Sequence, residues 1–300
     1  MKPRWESMLA MLVSISLMPA GGQIPTFSVK TEEVRIDVLV SEDGKPVKGL
    51  QADDFIVLDN AVPQTIASTS FQQIPISATL VLDMSQSVAG DQLDHLKAAG
   101  SALLKGLKKG ERSALITFSH FLRLGSPLTT DLDRVEAALW LIEPQSFGKT
   151  SLIDASYAGL IQAESKADRP MLIIFSDGVD TSSWLTDEMV LESARFSDTV
   201  VYAVSAGRLP DRKFLRDLSK ITGGSLFEIE STEDLDDVFL SILEEFRHRY
   251  LLTYLPRDVS ERGWHKLEVR VKRRGLKVKH RPGYSPDAAG SYRESAPNQR

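Results

Sequence analysis

Between residues 76 and 249, short apolar runs alternate repeatedly with longer amphipathic stretches, and this alternation constrains the fold more than any other feature. The runs, such as ATLVLD at 78–83 and PMLIIF at 170–175, are nearly free of polar residues. The stretches between them repeat apolar residues every three or four positions, as between Leu93 and Leu107. Continuous apolar strands joined by helices predict an α/β fold with a doubly wound, mostly parallel, Rossmann-like sheet.

The pattern predicts the individual elements and some of their ends. Thr186 is placed to cap one helix, Gly223 and Gly224 to end another, and Ser231 or Thr232 to start a long last helix that continues to Tyr250. The predicted strands are ATLVLD, SALITF, PMLIIFSDG, TVVYAVSAG and SLFEI. The predicted helices are DQLDHLKAAGSALLKGL, LDRVEAALWLI, LIDASYAGLIQAE, TDEMVLESARFS, PDRKFLRDLSKIT and STEDLDDVFLSILEEFRHRY.

Two strand-rich segments flank this region. Residues 27–75 contain alternating runs such as VRIDVLV, and residues 250–284 contain YLLTYLP, WHKLEVRVKRR and LKVKHRPGY. Neither set is large enough to bury a good core alone. We therefore expect both sets to combine into one small β-sandwich-like domain, into which the α/β domain (76–249) is inserted.

The two ends of the sequence have different compositions. Lys2 and Arg4 precede an uncharged, mostly apolar run and the small residues of PAGGQ, which predicts a signal peptide over 1–22 and an exported, periplasmic, secreted or surface-associated protein. No later segment is long and apolar enough to predict a transmembrane helix. The last segment, 285–300, is rich in Pro, Ser and Gly, which predicts disorder.

Charge is unevenly distributed along the chain. The formal net charge of −5 argues against a general nucleic-acid-binding protein. Residues 262–281 carry nine Lys or Arg and one Glu, +8, so the rest carries −13. The favoured interpretation is a solvated basic sheet face that protects an edge, and the alternative is contact with an anionic envelope surface or with the acidic part of the same chain. The absence of cysteine excludes disulfides and thiolate metal sites.

Five side chains with oxygen donors follow strand ends in the predicted sheet. Asp83, Ser85 and Ser87 follow the first strand of the α/β region, Thr150 lies in FGKTS just before a helix, and Asp177 ends another strand. In open α/β sheets, ligands bind beyond the carboxyl ends of the strands. Two carboxylates and three hydroxyls suit a hard divalent cation, which favours Mg²⁺ or Mn²⁺ over a soft metal and over Ca²⁺.

This arrangement resembles the von Willebrand factor type A domain and its metal-ion-dependent adhesion site. The resemblance rests on Asp83-Met84-Ser85-Gln86-Ser87, on Thr150 and on Asp177-Gly178, and it covers about residues 76–249. The flanking DGKPVKGLQADDFIVLDNAVPQ and HRPGY also look like those of a bacterial, secreted branch of the family known from acidobacteria. The resemblance implies a non-enzymatic protein-binding module, in which an Asp or Glu of a protein partner completes the coordination of the metal.

The sequence lacks the motifs of several other ligand-binding and catalytic sites. The P-loop pattern would need Gly at Glu143, a haloacid-type phosphatase would need Asp at Ser85, and the G-x-S-x-G of serine hydrolases is absent. No two histidines have metal-ligand spacing. A metal-dependent hydrolase using the same ion stays open, although it lacks a general base in the motif loops. A structural component of an envelope assembly also stays open.

Overall fold

A six-stranded sheet forms the centre of the molecule, which is described by a computed structural model covering residues 33–143, 149–164, 167–177, 179–207 and 212–286. The spatial order of its strands is β11-β10-β9-β6-β7-β8, and every neighbouring pair is parallel except β7 and β8. The strands are β6 (Ile76–Asp83), β7 (Arg112–Phe118), β8 (Leu122–Thr129), β9 (Arg169–Ser176), β10 (Val200–Ala206) and β11 (Leu226–Ile229).

Six helices cover the two faces of this sheet. They are α1 (Asp91–Gly106), α2 (Leu132–Trp140), α3 (Leu152–Ala163), α4 (Asp187–Ala194), α5 (Lys213–Ile221) and α6 (Leu235–Arg247). Helices α1, α2 and α6 contribute to the apolar core on one face, and α3, α4 and α5 to the core on the other. The predicted α/β fold with helices on both faces of a mostly parallel sheet is therefore confirmed.

Strand β8 was not predicted, and it makes the sheet mixed. Its sequence, LRLGSPLT, contains Gly and Pro, and only one of its eight residues is fully buried. Pro127 falls where the pairing with β7 is irregular, between Ser126 and Thr129, and sheets tolerate proline at such bulges and edges. An exposed edge strand lacks the continuous apolar run by which the buried strands are recognised.

The last helix is shorter than predicted at both ends. Helix α6 begins at Leu235, because Ser231 Oγ accepts a hydrogen bond from Glu233 N at 3.2 Å and holds the chain in a turn instead of capping the helix. At the other end the chain leaves the helix after Arg247, so Tyr250 begins a strand. The predicted cap at Thr186 is confirmed, since its hydroxyl accepts from Met189 N at 3.4 Å.

The two flanking segments pair with each other in two antiparallel sheets. One sheet has the order β14-β1-β12-β5 with β2 paired to β1, and the other has the order β15-β13-β3-β4. Their strands are β1 (Val34–Glu42), β2 (Lys45–Pro46), β3 (Phe55–Asp59), β4 (Val62–Gln64), β5 (Ile66–Phe71), β12 (Tyr250–Tyr254), β13 (His265–Val271), β14 (Lys277–Lys279) and β15 (Gly283–Tyr284). Side chains from both sheets form one apolar cluster.

All described residues belong to one compact unit, so the interpretation of the two flanking sheets as a separate β-sandwich-like domain stays a prediction. The predicted signal peptide and all but Ser285 and Pro286 of the predicted disordered tail lie outside the described residues. Within the described part of the chain, no helix combines the length and the apolar character that crossing a bilayer would require.

The basic C-terminal strands are only partly a solvated face. Lys266 and Arg270 of β13 are exposed between buried or partly buried neighbours, as the alternation predicts. Lys279 and Arg281 instead face carboxylates of the α/β part, with Lys279 Nζ 3.3 Å from Glu245 Oε1 and Arg281 Nη1 2.9 Å from Asp198 Oδ1. The basic segment therefore also attaches the flanking sheets to the rest of the same chain.

Candidate metal site

The predicted ligands lie at the carboxyl ends of two adjacent central strands. Asp83 is the last residue of β6, and Asp177 directly follows Ser176 at the end of β9. These two strands pair with each other along seven residues. The chain leaves β6 toward α1 on one face and leaves β9 toward α4 on the other. Such a reversal opens a crevice between neighbouring strand ends, where open α/β sheets bind ligands.

Four of the five predicted residues are joined by one continuous chain of hydrogen bonds, in which the main-chain N–H of Ser85 makes the first link. Ser85 N donates to Asp83 Oδ1 at 2.9 Å, and the Ser85 and Ser87 hydroxyls are 3.0 Å apart. Ser87 Oγ then donates to Asp177 Oδ1 at 2.9 Å. Ser176 Oγ donates to the other oxygen of Asp83 at 2.7 Å. Both carboxylates and two hydroxyls are therefore within direct reach of one another.

The two carboxylates are held where negative charge is costly. Burial raises the pKa of Asp83 to about 6, against the opposing effect of hydrogen bonds from Ser176 and Ser85 and with a small further rise from the charge of Asp177. Burial also raises the pKa of Asp177, although the Ser87 hydroxyl opposes the shift. Two neighbouring carboxylates with raised pKa values are an arrangement that a bound cation stabilises.

Thr150 is fixed at the same edge through the main chain. Thr150 N donates to Thr181 Oγ1 at 2.9 Å, and Thr181 N donates back to Thr150 O at 2.8 Å. Ser151 N donates at 2.7 Å to the carbonyl of Ser119, which directly follows β7, the strand that pairs with β6. Thr150 is buried at this position, and its hydroxyl is not hydrogen-bonded to the four side chains described above.

The loop after Asp177 is pinned by two other aspartates. Asp180 Oδ1 accepts hydrogen bonds from Ile153 N at 3.2 Å and from Ser183 Oγ at 2.5 Å. Asp154 Oδ2 accepts from Trp184 N at 3.0 Å. Asp180 is thus a turn residue that joins this loop to α3. The loop presents the Trp184 side chain to solvent with 95% of its surface exposed.

Sequence reasoning did not identify the apolar and basic groups around this edge. A cleft of about 200 Å³ lies beside Met84 and Ser119 and is walled by Phe121 and Leu141, whose side chains are largely exposed. His120 Nδ1 lies 3.3 Å from Ser119 Oγ. The sequence does carry one signal for these groups, which is the presence of large apolar residues such as Phe121 and Trp184 in loops that follow strands.

The donor set fits a hard divalent cation. Within the ranges that the structure describes, no three His, Cys, Asp or Glu side chains are grouped closely enough to hold a metal. The predicted set instead combines the carboxylates of Asp83 and Asp177 with hydroxyls, and hard cations such as Mg²⁺ accept this all-oxygen chemistry. Two carboxylates only just balance the charge of a divalent ion, and neutral hydroxyls as the other ligands leave that ion electrophilic toward a further oxygen ligand.

Comparison with known proteins supports the fold. A sequence model of the von Willebrand factor type A domain matches residues 79–240. Matrilin-3 of Gallus gallus is 25% identical over 220 residues, which cover 67% of this chain and 45% of matrilin-3. The chain thus spans less than half the length of this curated relative.

Two solved structures are also similar. One is the proximal thread matrix protein 1 of the mussel byssus with a zinc-occupied MIDAS motif (the metal-ion-dependent adhesion site), with a TM-score of 0.54, 15% identity, and coverage of 61% of this chain and 48% of that chain. The other is a von Willebrand factor type A protein from Catenulispora acidiphila, with a TM-score of 0.53, 11% identity, and coverage of 88% and 76%. At these identities the likeness shows the fold.

Proposed function

Because this chain belongs to the von Willebrand factor type A domain family, we propose that it is a non-enzymatic, adhesion-type module that binds a protein partner through a divalent cation. Asp83, Ser85, Ser87, Thr150 and Asp177 would hold the cation, which we propose to be Mg²⁺ or Mn²⁺. The observation that carries the proposal is the continuous chain of contacts from Asp83 through the two serines to Asp177. A family relative with zinc in the corresponding motif supports a divalent cation at this place.

The residues at this edge of the sheet would have different roles in holding the cation. Asp83 and Asp177 supply the negative charge, and the serine and threonine hydroxyls supply neutral oxygens. Ser176 fixes the orientation of the Asp83 carboxylate. The bound cation supplies an electrophilic centre for an Asp or Glu carboxylate of the partner. Recognition of this kind requires no covalent bond to be made or broken.

Exposed apolar side chains would extend the contact beyond the carboxylate. Trp184 stands on a loop whose main chain is pinned by Asp154, so little conformational entropy would be lost when a partner packs against the indole. Exposed tryptophans on ordered loops are frequent anchors of protein interfaces. We propose that Trp184 and Phe121 contact the same partner that supplies the carboxylate.

We also propose that the protein is exported, as the basic and apolar N-terminal sequence predicts. One structural relative is a matrix protein of the mussel byssus, which supports an extracellular setting. We further propose that the chain belongs to the bacterial branch known from acidobacteria. The flanking sheets would then form a separate β-sandwich-like domain that carries the α/β domain.

The metal site can be tested by isothermal titration of Mg²⁺ and Mn²⁺ into the wild type and Asp83→Asn. We expect the wild type to bind one ion and the variant to lose at least about tenfold in affinity, since one of two anionic ligands is removed. Asparagine has the same shape and retains a carbonyl that can accept from Ser85 N. The variant should therefore fold, which circular dichroism in chelator would verify.

Asp180→Asn is the matched control, because it removes a carboxylate from the neighbouring loop without touching the proposed ligands. We expect its metal affinity to stay within about twofold of the wild type. Equal metal binding by the wild type and Asp83→Asn would reject the site assignment.

Partner binding can be tested by affinity capture from an envelope extract in Mg²⁺ and in EDTA. We expect a specific protein to bind the wild type in Mg²⁺ only, and Asp83→Asn to lose it. Trp184→Ala should keep its metal affinity but bind the captured partner at least about tenfold more weakly. Trp140→Ala, an exposed tryptophan on α2, is the matched control and should behave as the wild type.

A metal-dependent hydrolase is the second candidate, and one observation favours testing it. The structure places His120, which lies outside the motif loops, beside Ser119 at this edge. Hydrolysis of phosphate or peptide esters that needs both the metal and His120 would replace the binding proposal with an enzymatic one. A capture profile unchanged by EDTA would instead favour a structural role in an envelope assembly.

A further inference from the structure

A second cleft lies beside β11, the strand at one edge of the central sheet. It has a volume of about 360 Å³ and is walled by the end of α5, the start of β11 and the strand β14. The residues that line it include Arg216, Lys220, Ser225, Glu228 and Lys279. The cleft begins at the amino end of β11, whereas the proposed metal site lies at the carboxyl ends of β6 and β9.

Cationic side chains outnumber carboxylates around this cleft. Glu228 is shared by Arg216 at 3.1 Å and Arg212 at 3.4 Å. Glu245 is shared by Lys279 at 3.3 Å and by an arginine below the cleft. Lys220 makes no ion pair with any residue that the structure describes. Four cations therefore share two carboxylates and Lys220 has none, which leaves a local excess of about three positive charges in a chain whose net charge is −5.

Arg249 is the arginine below the cleft, and it is 0% exposed. Its Nη2 donates to Glu245 Oε1 at 3.1 Å and to the carbonyl of Gly223, a lining residue, at 2.8 Å. Its Nε and Nη1 have no hydrogen-bond partner among the described residues. Burial opposes its charge, but the neighbouring Tyr202, Glu245 and Asp37 raise its pKa overall, so the guanidinium stays charged while two of its nitrogens keep unused donors.

The excess of positive charge shifts the pKa values of neighbouring groups. Burial and the Arg249 charge lower the pKa of Lys279. Burial raises the pKa of Glu245, but the charges of Arg249 and Lys279 outweigh it and hold that pKa below its usual value. The hydroxyl of Ser219, another lining residue, is also buried and has no hydrogen-bond partner in the described part of the chain. A further anion here would stabilise the positive charges of Lys279 and Arg249 and could accept a hydrogen bond from Ser219.

His280 completes the wall without adding charge. Its Nε2 accepts from Val269 N at 3.2 Å, so its Nδ1 carries the proton and donates to the Arg281 carbonyl at 2.6 Å. Burial lowers its pKa, which keeps the ring neutral. The positive charge thus comes from lysine and arginine, which keep it across the physiological pH range.

We propose that this cleft binds a sulfate or phosphate group, held by Lys220, Lys279 and Arg216 above the buried Arg249. A dianion matches an excess of about three charges better than a carboxylate does, and tetrahedral oxyanions accept from several lysine and arginine donors at once. The group can be a free ion or a substituent of a larger molecule.

The binding can be tested by titrating inorganic sulfate, inorganic phosphate and acetate into the whole protein at constant ionic strength. We expect sulfate and phosphate to bind and acetate to bind at least about tenfold more weakly. Titration of dextran sulfate, with unsulfated dextran as the control, then distinguishes a free ion from a sulfate group carried by a larger molecule. Tighter binding of dextran sulfate per sulfate group assigns the cleft to polymer-borne groups, and equal binding assigns it to the free ion.

Variants locate the site. We expect Lys279→Met to weaken sulfate binding about tenfold and Lys220→Ala about threefold, while Lys266→Ala, which removes an exposed lysine of β13 outside the cleft, changes it little. Lys220 is exposed, so its variant should fold even if Lys279→Met does not. Equal affinity in Lys220→Ala and Lys266→Ala, or no preference for sulfate over acetate, would overturn the proposal.

Discussion

Replacing Arg169 by methionine should lower the free energy of unfolding by about 3–5 kcal/mol, because it leaves a buried carboxylate without its partner. Arg169 starts β9, and its Nε donates to Asp37 Oδ1 of β1 at 3.0 Å. Its Nη2 also donates to the Phe246 carbonyl at 3.3 Å, and the guanidinium lies 4.8 Å from the centre of the Phe246 ring. One side chain thereby joins the central sheet, a flanking sheet and the last helix.

The double variant Asp37→Leu/Arg169→Met distinguishes the cost of an unpaired buried charge from the cost of lost side-chain packing. We expect it to recover most of the lost stability, since apolar groups of similar volume often replace a buried ion pair without net cost. Chemical denaturation of the two single variants and the double variant measures the coupling between the residues. Asp217→Ala, which breaks an exposed pair with Lys213, is the control and should cost less than about 1 kcal/mol. A similarly small loss for Arg169→Met would refute the assignment.

Hydrophobic periodicity was sufficient to predict the central fold. Five of the six sheet strands and all six helices appear as continuous apolar runs or helical repeats in the sequence. Burial is what imposes those patterns, so the exposed strand β8, with Gly125 and Pro127, carried no such signal. The predicted start of α6 was wrong because a serine such as Ser231 can either cap a helix or hold a turn, and its local sequence does not decide between the two.

The candidate site was predictable only in its local parts. Asp83, Ser85 and Ser87 lie within five consecutive residues, and Asp177 is brought to them because both segments follow the carboxyl ends of parallel strands. The supporting roles of Ser176 and Thr181, and the positions of His120 and Trp184, depend on how distant loops meet, which no local spacing encodes. Arg169 and Arg249 illustrate the same limit, since sequence alone suggests that such residues are solvated and the fold buries both.

A second buried carboxylate, Asp59, holds the two flanking sheets together. Its Oδ2 accepts hydrogen bonds from the hydroxyls of Tyr254 and Tyr284, both at 2.8 Å, and its Oδ1 lies 2.8 Å from His265 Nδ1. Tyr254 belongs to the opposite sheet, so this network crosses the interior between them. Burial raises the pKa of both tyrosines, which therefore stay protonated and continue to donate.

Asp59→Leu should cost about 4 kcal/mol, since it leaves two phenols and an imidazole buried without an acceptor, at about 1–3 kcal/mol for each group. Tyr254→Phe, which removes one donor only, should cost about 1–2 kcal/mol. Chemical denaturation followed by tyrosine circular dichroism would measure both, and Asp53→Ala, at an exposed carboxylate near β3, is the control. If Asp59→Leu were no more destabilising than Tyr254→Phe, the carboxylate would not be the common acceptor of the network. A large loss would instead show that the two flanking sheets depend on one polar contact between segments almost 200 residues apart in the chain.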